Sequence, residues 1–270
     1  DLRGTRPRLP VFVRAAGPRA GTSAPDRGRQ HPPARAARPA ARHRRRRRRG
    51  RPVLTRPEPL TPHALAGRLA ALLATTPPGS GTTALRVAVD GPDVARPTEL
   101  ATAIAAELPA LGRPAVVVPA AGFYRPASLR LEHGRTDPDA RYTDWLDAGA
   151  LAREVLNPLG RGGTGRYLPA LWDLVTDRAV RARPQSMPDG GVLLVPGSLL
   201  QGVGLAFDVV VHLRVAPAAR RRLTPPDQAW VLPAYDRYDV EVDPASLADA
   251  VVLADHPDRP ALLLAGRFVS

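Results

Sequence analysis

The residues best placed to do chemistry lie in one stretch, Leu85-Arg86-Val87-Ala88-Val89-Asp90-Gly91-Pro92-Asp93-Val94-Ala95-Arg96-Pro97-Thr98. An apolar run passing through a Gly turn into a helix is the layout of a phosphate-binding loop, which needs G-x-x-x-x-G-K-[ST] at fixed offsets. Counted from Gly91, the second glycine is Arg96, the lysine is Pro97, and only the hydroxyl, Thr98, is kept. No other residue can stand in for that lysine, because all 39 Lys and Arg positions are arginine. In a working loop, backbone N–H groups wrap the phosphates and the helix N-terminus adds positive potential. Pro97 removes one of those donors while fitting the first turn of a helix. Arg96 replaces a residue whose freedom at positive φ lets the loop turn tightly, and its long side chain, which could offer charge to an anion, is expected to fill the pocket. Val94, branched and apolar, obstructs close backbone approach. Thr98 keeps a hydroxyl that could hold magnesium, or serve as an ordinary first-turn hydroxyl.

Other candidate groups are fewer. With no cysteine, disulfides, thiolate catalysis and Cys-ligated metal sites are excluded. His31, His43, His63, His133, His212 and His256 show neither H-x-x-x-H nor H-E-x-x-H spacing, so no zinc site is expected. Asp137, Asp139, Asp144 and Asp147 surround Arg141 and Tyr142, and read as a charge-paired face more than as a substitute base. Arg220, Arg221 and Arg222 could meet phosphates or form a solvated helix face. Phe123 and Tyr124 could stack a nucleobase or pack a turn. The Gly-Ser-Gly-Thr-Thr of residues 79–83 precedes a strand and opens no helix, so it reads as a linker turn.

These residues need a scaffold, and its elements are legible. Thr61-Pro62 reads as an N-cap with Pro at the first helical position. Leu65, Leu69, Leu72 and Leu73 recur at helical spacing, which predicts an amphipathic helix over 62–75. Short apolar runs at 85–90, 115–119, 191–195, 208–213 and 249–254 predict five strands, with helices at 98–108 and 146–156. Strands alternating with helices predict an α/β three-layer sandwich around a mostly parallel five-stranded sheet. In such sheets ligands sit beyond the carboxyl ends of the strands, where the altered loop falls.

The other strand ends carry a family resemblance. After the second strand comes Pro119-Ala120-Ala121-Gly122-Phe123-Tyr124-Arg125-Pro126, and after the third Leu194-Val195-Pro196-Gly197-Ser198-Leu199-Leu200. The chain resembles the uridine-kinase-like (nucleoside kinase) family of P-loop NTPases, whose members read V-D-G-x-D-G-A-G-K-T-T, D-G-F-H-R-P and D-G-x-F-L at these three places. The resemblance runs from about Pro62 to Pro260. It takes in Asn157-Pro158-Leu159-Gly160, the Gly162–Tyr167 loop, Trp172-Asp173 with Asp177, Pro233-Ala234-Tyr235 and Tyr238. It implies ATP and Mg²⁺ as cofactors and a nucleoside as substrate. It also implies what is missing: the loop lysine corresponds to Pro97, the activating carboxylate to Ala121, and the magnesium-organising aspartate to Pro196. Matching positions are Gly91, Asp93 and Thr98 in the loop, with Arg96 beside them. On the substrate side they are Gly122, Phe123, Arg125 and Asp173, with Tyr124 a neighbouring candidate. The arginines Arg220, Arg221 and Arg222 would lie in a lid over the phosphates.

Phosphoryl transfer is mostly positioning and charge stabilisation. Losing one preorganised electrostatic group costs roughly 10²–10³ in rate, and three are absent here, although such losses are not strictly additive. The expected function is therefore a nucleoside-kinase-like protein that is catalytically impaired or inactive, with residual nucleoside, nucleotide or partner binding. The alternative is an active ATP-dependent kinase of uridine or a related small hydroxyl compound.

Charge sets the first 57 residues apart: 18 arginines against Asp1 and Asp26 give +16, while the rest holds 21 arginines against 23 acids, −2. This Arg-, Pro- and Ala-rich segment lacks the apolar surface to offset chain entropy. We expect residues 1–60 to be a disordered tail and 61–270 the domain. Residues 42–51 could contact a polyanion non-specifically, giving a nucleic-acid-binding alternative, but no aromatics are interleaved to stack bases. No apolar run is long enough to span a membrane and no signal-peptide core is seen at the N-terminus, so a cytoplasmic location is expected.

Overall fold

The computed structural model describes residues 55–265 and residue 268; the expected tail lies, up to residue 54, outside the described residues. Its centre is a seven-stranded sheet. In chain order the strands are β1 (Glu58–Pro59), β2 (Leu85–Asp90), β3 (Ala115–Val117), β4 (Val192–Gly197), β5 (Val209–Arg214), β6 (Ala250–Leu253) and β7 (Ala261–Leu264). They lie side by side as β1-β7-β6-β5-β2-β4-β3. The five parallel strands, β6-β5-β2-β4-β3, are the five that the apolar runs predict. At the other edge two strands extend the sheet beyond the expected five: β7 runs antiparallel to β6 and β1 antiparallel to β7. The sheet thus takes in residues ahead of the expected boundary at 61: the Thr55 N–H donates to the Leu264 carbonyl at 3.0 Å.

Both faces of the sheet are covered, which is why its strands read as unbroken apolar runs rather than alternating ones. Leu85, Val87 and Val89 of β2 point to one face, with Val192 and Leu194 of β4. There they meet Leu65, Leu69 and Leu73 of α1 (Pro62–Thr75) and Ala101 and Ile104 of α2 (Pro97–Glu107). Ala88, Leu193 and Val195 point to the other face, against Phe123, Leu151, Val155, Leu156 and Leu159. The helix expected at 146–156 is two pieces, Ala148–Leu151 and a wider π turn over Ala152–Leu156. Three further helices matter below: α3 (Pro138–Thr143), α4 (Pro217–Leu223) and α5 (Leu232–Glu241).

Strand β2 sits between β4 and β5, so the loop leaving its carboxyl end opens at the centre of the sheet. Register places Gly197 on one side of Asp90 and His212 on the other. A proline inside a sheet normally breaks a ladder. Pro196 is tolerated because β4's pairing with β3 ends at Leu194, opposite Val117, and Pro196 pairs only towards Val89.

Candidate functional site

The loop after β2 is not a phosphate cradle. Asp93–Ala95 form a single tight 3-10 turn, and Arg96 takes the left-handed conformation, φ 55° and ψ 54°, before Pro97 opens α2. Four backbone donors of this loop are used within the protein. Gly91 N–H donates to Gly197 O at 3.1 Å, Ala95 N–H to Pro92 O at 2.8 Å and Arg96 N–H to Asp93 O at 3.0 Å. Asp93 N–H donates to the Tyr235 hydroxyl at 3.3 Å. Pro92 and Pro97 have no N–H to offer. Gly91 remains glycine for a reason unrelated to phosphate: a Cβ there would lie 2.8 Å from Leu213 Cβ and 2.9 Å from Leu213 O.

Beneath the loop, side chains fill the space. Asp90 is fully buried. Its Oδ1 accepts the Leu200 N–H at 3.0 Å, and its Oδ2 accepts Gln201 Nε2 and the Tyr238 hydroxyl, both at 3.0 Å. His212 Nδ1 lies 2.9 Å from the same Oδ2, and since a carboxylate only accepts, that nitrogen carries the proton. Burial pushes the Asp90 pKa up, but the His212 hydrogen bond and charge, with Gln201 and the Leu200 N–H, outweigh it and hold the carboxyl below its ordinary value.

A second layer forms around Asp93. Its Oδ2 accepts the Tyr235 hydroxyl at 3.0 Å and its Oδ1 accepts Ser198 Oγ at 3.1 Å. Arg141 donates to Ser198 Oγ at 2.5 Å and stands 3.6 Å from Asp93 Oδ2. The Arg141 guanidinium is buried, packed over the Tyr124 and Trp145 rings at 5.5 and 5.1 Å. Burial opposes its charge, yet the oxygens of Tyr124, Tyr235 and Asp93 more than offset that and raise its pKa. Burial likewise pushes the Tyr235 phenol up. The remaining void between Gly91, Tyr235, Tyr238 and Arg220 is about 10 Å³, no more than one water occupies.

The residues named from sequence are scattered through this architecture. Thr98 is exposed on the first turn of α2, where its carbonyl accepts Thr102 Oγ1 at 2.8 Å. Arg96 points outward and stands 3.4 Å from Glu99. Phe123 is buried among Leu151, Val155 and Leu200, so it is core and has no face left to stack a base. Tyr124 packs edge-on against Trp145, and Arg125 pairs loosely with Asp144 at 3.9 Å. Asp173 closes a small hairpin turn by accepting from Val175 N–H at 2.9 Å and Thr176 Oγ1 at 2.9 Å. Instead of a lid, Arg220 is buried against α5, donating to Asp236 at 2.6 Å and Asp239 at 2.9 Å. Arg221 is exposed and Arg222 donates to Asp255 O at 3.1 Å. Within the acidic stretch, Asp137 and Asp147 are helix N-caps and Asp139 pairs with Arg237 at 3.0 Å.

What sequence reasoning missed is the pair of carboxylate networks. The one available signal was polar residues inside apolar strands: Asp90 ends Leu85–Asp90 and His212 interrupts Val209–Arg214, and a polar group so placed needs a partner.

A triphosphate meets a loop in which the N–H groups of Gly91, Asp93, Ala95 and Arg96 are already bonded within the protein, and Pro97 and Pro196 bring neither charge nor N–H. Among the described residues no three His, Cys, Asp or Glu are gathered to hold a metal ion on protein ligands alone. A separate cavity of about 470 Å³ lies on the outer side of the loop, lined by Val94, Ala95, Leu100, Leu213, Val252 and Ala254, with His63, Arg96, Glu99 and Asp258 also lining it. Among the described residues no helix is long and apolar enough to cross a membrane.

No family model matches the sequence, and no curated protein is similar to it. Solved structures do match in fold. One is a possible uridine kinase from Bacillus stearothermophilus, with TM-score 0.56 and 18% identity over 69% of this chain and 96% of that one. Another is a candidate fructose transport system kinase from Silicibacter sp. TM1040, with 24% identity over 70% of this chain and 94% of that one, at a TM-score of only 0.47. With the parallel order of β6-β5-β2-β4-β3 and a loop-to-helix turn after its central strand, the chain has the α/β fold of P-loop kinases.

Proposed function

We propose that this chain is a P-loop kinase-fold protein that does not carry out phosphoryl transfer and keeps the fold as a scaffold, with residual nucleoside or nucleotide binding. The observation that carries this reading is the occupied loop: the N–H groups of Gly91, Asp93, Ala95 and Arg96 all donate to protein atoms. Phosphate could use those donors only by breaking bonds they already make, each worth about 0.5–1.5 kcal/mol. Loss of the lysine, the base and the metal carboxylate at Pro97, Ala121 and Pro196 acts in the same direction. A retained nucleoside belongs in the 470 Å³ cavity, whose apolar walls and few polar groups suit a small ring compound.

Two measurements test this together. Thermal shift with ATP–Mg²⁺ and with uridine reports binding, and a sensitive phosphate-transfer assay reports turnover. The expected outcome is no uridine phosphorylation and no triphosphate-specific stabilisation. ATP-dependent turnover that vanishes in Thr98→Ala would establish the active-kinase alternative instead.

A further inference from the structure

Asp93 stands apart from the other ionised groups near the loop, because it is an exposed carboxylate resting on buried donors. Its side chain is 61% accessible, against 3% for Arg141, and Ser198 and Tyr235 are equally buried. The donors come from three separate elements: α3, the turn after β4, and α5. They converge on one point, and the carboxylate fits that point incompletely. Arg141 is 3.6 Å from the nearest Asp93 oxygen, beyond hydrogen-bond length. The guanidinium reaches the carboxylate through Ser198, whose hydroxyl accepts from Arg141 and donates to Asp93. A carboxylate has two oxygens, and both are already engaged by Tyr235 and Ser198.

We propose that Arg141, Ser198 and Tyr235 form an anion-binding site for which Asp93 is the protein's own occupant, and that a phosphate group can take the place of the Asp93 carboxylate. A tetrahedral oxyanion brings a third and fourth oxygen to the same point, so one can approach Arg141 directly while two keep the hydroxyl bonds. Binding needs only a side-chain rotation of Asp93 towards solvent, where most of it already lies. The tethered carboxylate competes at an effective concentration in the millimolar range, so the site answers weakly in the unmodified chain. This inference does not rest on the loss of phosphoryl transfer; it concerns donors outside the phosphate loop, and its test does not read turnover.

The experiment measures the thermal midpoint of the full chain and of Asp93→Ala across titrations of inorganic phosphate, methyl phosphate and sodium chloride at matched ionic strength. Asp93→Ala is expected to melt lower without phosphate, because a buried cation has lost the one carboxylate within 4.0 Å of it among the described residues. Inorganic phosphate should then raise its midpoint saturably, with half-saturation about tenfold below that of the unmodified chain. Adding Tyr235→Phe, which removes only a hydroxyl, should weaken the response. A similar response to methyl phosphate means the site takes a phosphate carried on a larger molecule; a response to inorganic phosphate alone restricts the occupant to the free ion. Should Asp93→Ala not fold, Asp93→Asn keeps the shape, lowers the competition and is expected to show the same order of responses. The proposal is overturned if phosphate and chloride act alike on these variants, or if Tyr235→Phe leaves the phosphate response unchanged.

Discussion

At the scale of single residues, Asp90 and Arg96 carry most of what is unusual. A fully buried carboxylate is costly unless its oxygens are satisfied, and Asp90 has four partners drawn from three parts of the chain. Truncation in Asp90→Ala strands those donors, and should cost about 3–5 kcal/mol in urea unfolding. The pH dependence follows from the depressed pKa. A group more acidic in the folded state stabilises fully above its ordinary range and loses that contribution as pH falls through the folded value. The melting midpoint should therefore hold from neutral pH to about pH 5 and fall in stronger acid, with a shallower fall in Asp90→Asn. Arg96 holds φ at 55° without glycine, a conformation that costs an L-residue roughly 1 kcal/mol. Its side chain only stands near an exposed glutamate, a contact of small worth. Arg96→Gly is therefore expected to leave stability unchanged or raise it by up to about 1 kcal/mol, read by thermal unfolding.

Among the elements, what could be read from sequence tracks how local each signal is. The α1 helix is legible because Thr61 caps it and leucines mark its buried stripe, and it runs over the expected Pro62–Thr75. The five parallel strands are legible because burial on both faces makes each one a continuous apolar run. Strand β1 is not, since two residues including a proline carry no periodicity, and its place is fixed only by pairing with β7 across 200 residues of chain. That Pro97, Ala121 and Pro196 stand where the resemblance implies a lysine and two carboxylates is an expectation a motif allows, because a motif fixes offsets. The meeting of Ser198 with Asp93, 105 residues apart, and of His212 with Asp90, 122 apart, could not, because only the sheet brings them together. The loop's architecture also yields a prediction of its own. Gly91→Ala drives a Cβ into the Leu213 backbone of the neighbouring strand, and overpacking of this kind costs about 1–3 kcal/mol. Urea denaturation should show that loss, with the α/β circular dichroism signature retained.

On the scale of the whole molecule, charge is unevenly divided along the chain. Residues 1–57 hold +16 and the remainder −2, so any long-range attraction to polyanions is expected from the N-terminal segment. If the full chain binds single-stranded RNA at low salt, removing residues 1–54 should abolish that binding while leaving the melting midpoint of the sheet domain in place. Binding that survives the truncation would assign it to the domain instead. Salt dependence gives a second reading, since contacts made by arginine with phosphate weaken steeply as ionic strength rises.

The hydrogen bonds that close the loop between Gly91 and Arg96 also bear on how the chain can change. Restoring a single missing group, for example with Pro97→Lys, would add a charge to a turn whose N–H groups already point at Gly197, Pro92, Asp93 and Tyr235. On the function proposed above, a single such substitution meets a turn whose other bonds are still in place, so phosphate binding is expected to return only when several changes are combined.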